Sequence, residues 1–145
     1  MTTTQPTHII SSQALYNVIT REKKNNGAMF TIKSKKTGKD FTYKIARKLF
    51  KGHWYNHISV ETGYAQFTYL GSYRNGRIFC KGGEITTPSA IGISFILFKV
   101  ERKQFQWIDV QAEVMHTGSC LCCGRLLTDT DSIERGLGPV CAEKN

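Results

Sequence analysis

Period-two alternation through residues 28–46 constrains this chain more than any other feature. Phe30, Ile32 and Ser34 alternate with Met29, Thr31 and Lys33. Phe41, Tyr43 and Ile45 alternate with Thr42, Lys44 and Ala46. Successive side chains on a strand point to opposite faces, so each run has one apolar or aromatic face and one Thr/Lys face. Lys36-Thr37-Gly38-Lys39 between the runs supplies a hairpin turn. Tyr55 to Val60 and Ala65 to Leu70 form a second pair around Glu61-Thr62-Gly63. Arg77 to Lys81 follows the turn Tyr73-Arg74-Asn75-Gly76. The reading is about five short antiparallel strands, curved into a meander or a small half-barrel.

Two segments have helical spacing instead. Ser11 or Ser12 caps a short helix through Ala14, Leu15, Val18 and Ile19, which ends at Lys23-Lys24-Asn25-Asn26-Gly27. Thr87-Pro88-Ser89 starts a longer helix, with Thr87 as cap and Pro88 in the first turn. It is expected to reach about Lys103. Ile91, Phe95, Phe98 and Arg102 fall on one side, and Ala90, Ile93, Leu97 and Val100 widen the apolar surface. A helix this apolar is expected to be mostly buried and to close the sheet's open face. Val110 to His116 reads as a last strand. The expected fold is therefore α+β: a curved antiparallel sheet of about five strands packed on one long helix, followed by a small C-terminal zinc knuckle. Residues 1–10 read as a disordered lead, 11–110 as the α+β body and 111–145 as the zinc-knuckle tail.

At 145 residues the chain holds one core and a small appendage. No apolar run approaches the roughly 20 residues of a membrane span, and the first residues lack the pattern of a secretory signal. The expectation is a soluble cytoplasmic protein with no membrane partner. The net charge of +9 is concentrated. Residues 21 to 51 carry 11 basic groups against two acids, whereas residues 52 to 145 carry nine of each and residues 1 to 20 carry none. A localised basic field attracts polyanions through phosphate contacts and counterion release. The phosphate-binding candidates are Lys33, Lys35, Lys36, Lys39, Lys44, Arg47, Lys48 and Lys51. Tyr43, Trp54 and Tyr55 are candidates for stacking on bases. The competing reading of the lysines is a solvated face that keeps the protein soluble.

Five cysteines occur, four of them within the last 26 residues: Cys120, Cys122, Cys123 and Cys141. Without an export signal, clustered thiols favour a metal over disulfides. Cys120-x-x-Cys123-Gly124 is a zinc knuckle: the two-residue gap lets both sulfurs meet one ion and the glycine lets the backbone turn behind it. Cys141 supplies a third thiolate after a gap of seventeen residues. The fourth ligand is His116 or, with more awkward geometry, Cys122. Free thiols and a catalytic zinc are the alternatives to a structural ion. Glu113, Asp129, Asp131 and Glu134 are the bases within reach in sequence, and no spacing singles one out.

The string His116-x3-Cys120-x2-Cys123-Gly-Arg-x-Leu-Thr-x3-Ser-Ile-x2-Gly-x-Gly-Pro-x-Cys141 resembles a small uncharacterised domain of bacteriophage and bacterial proteins. In that family the domain closes short phage proteins and is appended to helicase-like and other DNA-processing chains. Phe30-Thr-Ile-x-Ser-Lys-Lys-Thr-Gly and Thr68-Tyr69-Leu70-Gly71 resemble the body of the short phage members. The resemblance implies Zn2+ held by Cys120, Cys123 and Cys141 with His116 as the fourth ligand. Cys122 departs from the usual pattern. The family carries no established activity.

His53-Trp54-Tyr55-Asn56-His57 reads as aromatic packing or base stacking, with a metal role for the two histidines as the alternative. Gly71 to Gly76 lacks the strand-to-helix setting of a phosphate cradle. No nucleotide loop, hydrolase elbow or Cys-His nucleophile pattern occurs, so an enzyme is not expected. The expected function is a phage-encoded, zinc-containing accessory protein that binds nucleic acid, DNA rather than RNA, through residues 21–51. The alternative is a phage factor that inhibits or redirects a host enzyme or defence system through an acidic surface on that protein. A small zinc-dependent enzyme is the third reading.

Overall fold

A computed structural model describes residues 8–22, 25–63, 65–116, 118, 120 and 121. Eight antiparallel strands form one sheet in the order β1-β8-β2-β3-β4-β5-β6-β7. The strands are β1 (His8–Ile10), β2 (Asn25–Ser34), β3 (Asp40–Phe50), β4 (His53–Gly63), β5 (Gln66–Arg74), β6 (Arg77–Cys80), β7 (Gly83–Glu84) and β8 (Ala112–His116). The helices are α1 (Gln13–Thr20), α2 (Pro88–Glu101) and α3 (Phe105–Gln111).

This corrects the expected sheet of about five strands on one long helix. β1 and β7 have three and two residues, too few to show alternation, and His8–Ile10 belong to the sheet rather than to an unstructured lead. The helix that starts at Thr87 does not reach Lys103. It runs for 14 residues, Arg102 departs at φ −92° and ψ 8°, and Lys103 turns left-handed at φ 57°. That corner redirects the chain into α3, which covers Val110 and Gln111, positions expected to be strand.

The β2–β3 hairpin has the register the alternation demands, with Phe30 opposite Tyr43 and Lys33 opposite Asp40. The β3–β4, β5–β6 and β6–β7 hairpins close through Lys51-Gly52, Asn75-Gly76 and Lys81-Gly82, each with both residues at positive φ. That conformation matches the twist of the flanking strands. Between β4 and β5 the register shifts at Ile58/Ser59. There Gly71, at φ 148°, approaches β6 so closely that a Cβ would sit 2.4 Å from the Phe79 carbonyl oxygen.

One face of the sheet carries Phe30, Tyr43, Ile45, Ile58, Ile78 and Val114, all at or below 1% exposure. The helices pack on that face. The Tyr43 hydroxyl donates to the Ser89 carbonyl at 2.7 Å, tying β3 to the first turn of α2. Thr87 caps α2 by accepting from the Ala90 N–H. At the start of α1 the Ser11 hydroxyl accepts from the Gln13 N–H at 3.2 Å, whereas the side chain of Ser12 makes no cap bond. Asp109 of α3 adds to this, accepting from the Ser12 N–H at 2.9 Å and from the Ser11 hydroxyl at 3.1 Å. A carboxylate at a helix N-terminus satisfies free N–H groups and complements the helix dipole.

Half of the apolar surface expected on α2 is buried: Ala90, Ile93, Leu97 and Val100 face the core with Ile96, while Ile91 and Phe95, on the side expected to be buried with them, are 55% and 49% exposed. Among the described residues no helix is long and apolar enough to cross a membrane.

Candidate functional site

Strand parity decides which basic residues can meet a ligand. On β3 the odd positions face the helices and the even ones face away. Tyr43 is therefore in the core at 1% exposure, and its burial raises its pKa. Arg47 is 6% exposed. Its Nε donates to the Arg21 carbonyl at 2.6 Å and its Nη1 donates to Asn56 Oδ1 at 3.1 Å. Asn56 in turn donates to the Ile19 carbonyl at 3.2 Å. Burial lowers the Arg47 pKa, and the charge of Glu22 partly opposes this. Arg47 thus fastens the C-terminal end of α1 to the sheet, where a cation complements the helix dipole. Tyr43 and Arg47 are withdrawn from the ligand-binding set. Trp54, opposite Leu49, lies on the same side as Arg47, whose guanidinium sits 5.3 Å from its ring.

The remaining cations do not form one patch. Lys35, Lys36 and Lys39 occupy the β2–β3 turn, and Lys51 occupies the turn at the far end of β3. Eleven residues of strand separate the two turns, about 36 Å at roughly 3.3 Å per residue. Lys35 is already engaged, its Nζ donating to the Asp109 carbonyl at 2.7 Å. Lys33 is flanked in register by Asp40 and Glu113, which offset its charge. Lys44 and Lys48 lie between the two ends on the face away from the helices.

That open face also carries aromatics. Lys48 pairs with Tyr55, and Ala46 pairs with His57. Across the bulge, Ser59 pairs with Tyr69 and Glu61 with Phe67, and Ser72 pairs with Phe79. The same parity places Tyr55, His57, Phe67, Tyr69 and Phe79 together, with Arg74 at the β5–β6 end. Lys44 Nζ lies 4.3 Å from the centre of the Phe67 ring, and the Arg74 guanidinium lies 5.5 Å from that of Phe79. The Tyr69 hydroxyl and His57 Nδ1 are 2.9 Å apart and hydrogen-bonded. Desolvation and then the charge of Lys48 lower the His57 pKa, so the ring is neutral at pH 7. Tyr69 is half exposed. Phe67, Tyr69, Phe79 and Arg74 were not singled out from the sequence as ligand contacts, whereas His57 was read there, within His53–His57, as packing or base stacking. The available signal was the alternation that names Tyr43 and Ile45 as inward, carried across two further strands.

His53 and His57 share this face, but four strand residues separate them by about 13 Å. That is too far for one ion, so the alternative metal reading of the pair is set aside.

A different corner holds the residues at the start of the cysteine motif. His116 ends β8, fully buried, directly opposite His8 on β1. Their ring centres are 5.2 Å apart. Cys120 is 2% exposed. The Gly118 N–H donates to His116 Nδ1 at 2.9 Å. A neutral imidazole has one lone-pair nitrogen, so His116 must exchange this bond to ligate an ion. Cys122, Cys123 and Cys141 lie outside the described residues, as do Asp129, Asp131 and Glu134. Among the described residues no group of three or more His, Cys, Asp or Glu side chains is placed to hold a metal. His116 and Cys120 supply one soft and one borderline donor, which suits zinc.

α2 and α3 present a third feature. Ile91, Phe95, Phe98 and Ile85 line a cavity of about 450 Å3, with Arg77, Glu84 and Lys99 at its edge. Trp107, 40% exposed, packs edge-on against Phe95 with ring centres 5.5 Å apart. No curated protein and no solved structure matches this chain. Residues 110–145, which include β8 and the whole cysteine motif, match an uncharacterised family described as a family of unknown function (DUF6011).

Proposed function

We propose that the chain is a zinc-containing accessory protein, of the kind bacteriophages encode, that works in the host cytoplasm by binding nucleic acid rather than by catalysis. The observation that carries this is the open face of β3–β6, where Lys44, Lys48 and Arg74 share one surface with unburied aromatic rings. Cations supply phosphate contacts and counterion release, and rings supply stacking. The contributors differ from the contiguous segment 21–51. Lys36 and Lys39 extend the surface at one end and Lys51 at the other.

Zinc belongs to the same proposal. Cys120, Cys123 and Cys141 would hold it, with His116 or Cys122 as the fourth ligand. Its role there is to stabilise a segment with little apolar residue content of its own.

The test is fluorescence anisotropy with a labelled oligonucleotide across a salt series. With about four phosphates engaged, log K should fall by about 3 units per log unit of salt for a single strand. Lys44→Glu with Lys48→Glu should abolish binding while the unfolding transition stays in place. No binding at low salt, or affinity that does not change with salt, refutes the reading.

A second reading, a factor that docks on a host protein, is favoured by the exposed Ile91, Phe95 and Trp107. Exposed apolar clusters of this kind mark protein contacts. A nuclease-resistant complex of defined stoichiometry, lost in Phe95→Ser and kept in Lys48→Glu, would favour it.

A further inference from the structure

We infer that the open face takes single-stranded DNA, with bases stacked on Tyr55, His57, Phe67, Tyr69 and Phe79. This rests on the nucleic-acid reading above and adds to it the strand state, the kind of contact and the residues responsible.

The argument starts from what a duplex could use. In duplex DNA the bases are stacked on one another, so a protein ring has no free base face to meet; in a single strand every base has one. Duplex binding by charge alone needs cations and has no need of rings. On this face, rings and cations alternate. Lys44 lies over Phe67 and Arg74 over Phe79, at 4.3 and 5.5 Å from the ring centres. Phe67 and Phe79 therefore each have a cation close enough to meet the phosphate of a base stacked beside the ring.

The arrangement is also broad. Tyr55 and His57 stand on β4, Phe67 and Tyr69 on β5 and Phe79 on β6. Neighbouring strands lie about 4.8 Å apart, and rings two residues apart on one strand are about 7 Å apart. A strand laid across the sheet meets successive rings at these intervals. The face spans four strands, β3–β6, about 14 Å between the outer two, which exceeds the roughly 12 Å major groove that admits a helix or a two-stranded ribbon.

The choice of DNA is the one made from the sequence, and stacking with charge does not require RNA. Telling the two apart requires a hydrogen-bonding group free to read the 2′-hydroxyl. His57 and Tyr69, at the centre of the face, are bonded to each other at 2.9 Å. Stacking and charge remain, and neither needs the extra hydroxyl.

The experiment compares the full-length protein on three labelled probes: a 20-nucleotide oligothymidine, a 20-base-pair duplex and a 20-nucleotide oligouridine. Oligothymidine should bind at least tenfold more tightly than the duplex. Tyr69→Ala should weaken oligothymidine binding about five- to hundred-fold, the range for one lost base stack, and leave duplex binding within twofold. Tyr69→Phe keeps the ring and loses only its hydroxyl bond to His57, so it should bind as the natural protein does. Because Tyr69 is half exposed, both variants should fold, and their unfolding midpoints verify this. Equal affinity for single strand and duplex, or full binding by Tyr69→Ala, overturns the inference while the nucleic-acid reading stands. Tenfold preference for oligouridine overturns the choice of DNA. Failure to bind any of the three probes overturns both the inference and the reading beneath it.

Discussion

Arg47 and Lys48 are adjacent in sequence and opposite in role, so substituting each in turn separates the structure from the interface. Arg47→Ala removes two charge-assisted hydrogen bonds, to the Arg21 carbonyl at 2.6 Å and to Asn56 Oδ1 at 3.1 Å. It also removes the packing of the guanidinium on Trp54. Asn56 is 8% exposed, so its oxygen regains little water. Bonds to charged groups are worth about 1.5–3 kcal/mol each. Relaxation of the site recovers part of two such losses, giving about 3 kcal/mol in all. Against a total stability of about 5–15 kcal/mol this is a large fraction. With a urea dependence of about 2 kcal/mol per molar, the midpoint should fall by about 1.5 M. Lys48→Ala is a surface change and should stay within about 0.5 kcal/mol. On a single strand it should lower the salt slope by about 0.7, one phosphate's worth. Urea unfolding and oligonucleotide anisotropy on both variants form the assay. If Arg47→Ala keeps its midpoint and weakens binding more than Lys48→Ala does, the assignment of faces is wrong.

Four further outcomes are expected. Freshly purified protein should carry one zinc per chain by elemental analysis; Cys120→Ser should lose it, and the contrast between His116→Ala and Cys122→Ser identifies the fourth ligand. Tyr43→Phe should cost about 1 kcal/mol by removing the buried bond to Ser89 and leave oligonucleotide affinity unchanged, which a stacking role for Tyr43 would not allow. Gly71→Ala should cost about 3 kcal/mol or more, since its new methyl meets the Phe79 backbone and its φ is unfavourable; an unfolding midpoint equal to that of the natural protein would show that β5 and β6 can separate there. His57 has a folded pKa below its unfolded value of 6.5, so its contribution to stability is complete above pH 6.5 and is lost as pH falls through the folded value. His57→Gln should therefore lose less stability than the natural protein between pH 7.5 and 5, and identical pH profiles would contradict that shift.

The β2–β3 hairpin and the Thr87 cap could be read from the sequence because both are local. Ten to eleven alternating residues fix a register, and a Thr-Pro pair fixes a helix start. β1 and β7 could not, since strands of three and two residues are too short to show alternation, and β1 moreover pairs with β8 at the far end of the described chain. The corner at Arg102 and Lys103 was hidden for a related reason: Glu101-Arg102-Lys103-Gln104 contains no Gly or Pro to mark a turn, and α3 meets α1 through Asp109, far away in sequence. The interface was partly readable. The alternation that sends Tyr43 and Ile45 inward also sends Arg47 inward and Lys48 out, one period further along. Charge counted along the chain hides this, because a hairpin sends neighbouring residues to opposite sides. The proposed zinc ligands are marked by their spacing, whereas the buried pairing of His8 with His116 depends on a sheet contact between the two ends of the described chain.

That last contact has a consequence for how the protein is made. β1 holds its place by pairing with β8, with His8 opposite His116. The partner for this first strand is thus translated more than a hundred residues later. At about 5–20 residues per second, β1 waits roughly 5–20 s before its partner exists. The β2–β6 hairpins can form as they emerge, because each pairs with its immediate predecessor. β8 must then arrive between β1 and β2, pairing with both. Completion of the sheet is therefore a late event that closes a long loop, the kind of step that slows folding. Until β8 arrives, the outer edge of β2 is open to any other extended chain, including another copy on the same messenger. A protein produced in a rapid burst would be most exposed to mispairing at that edge.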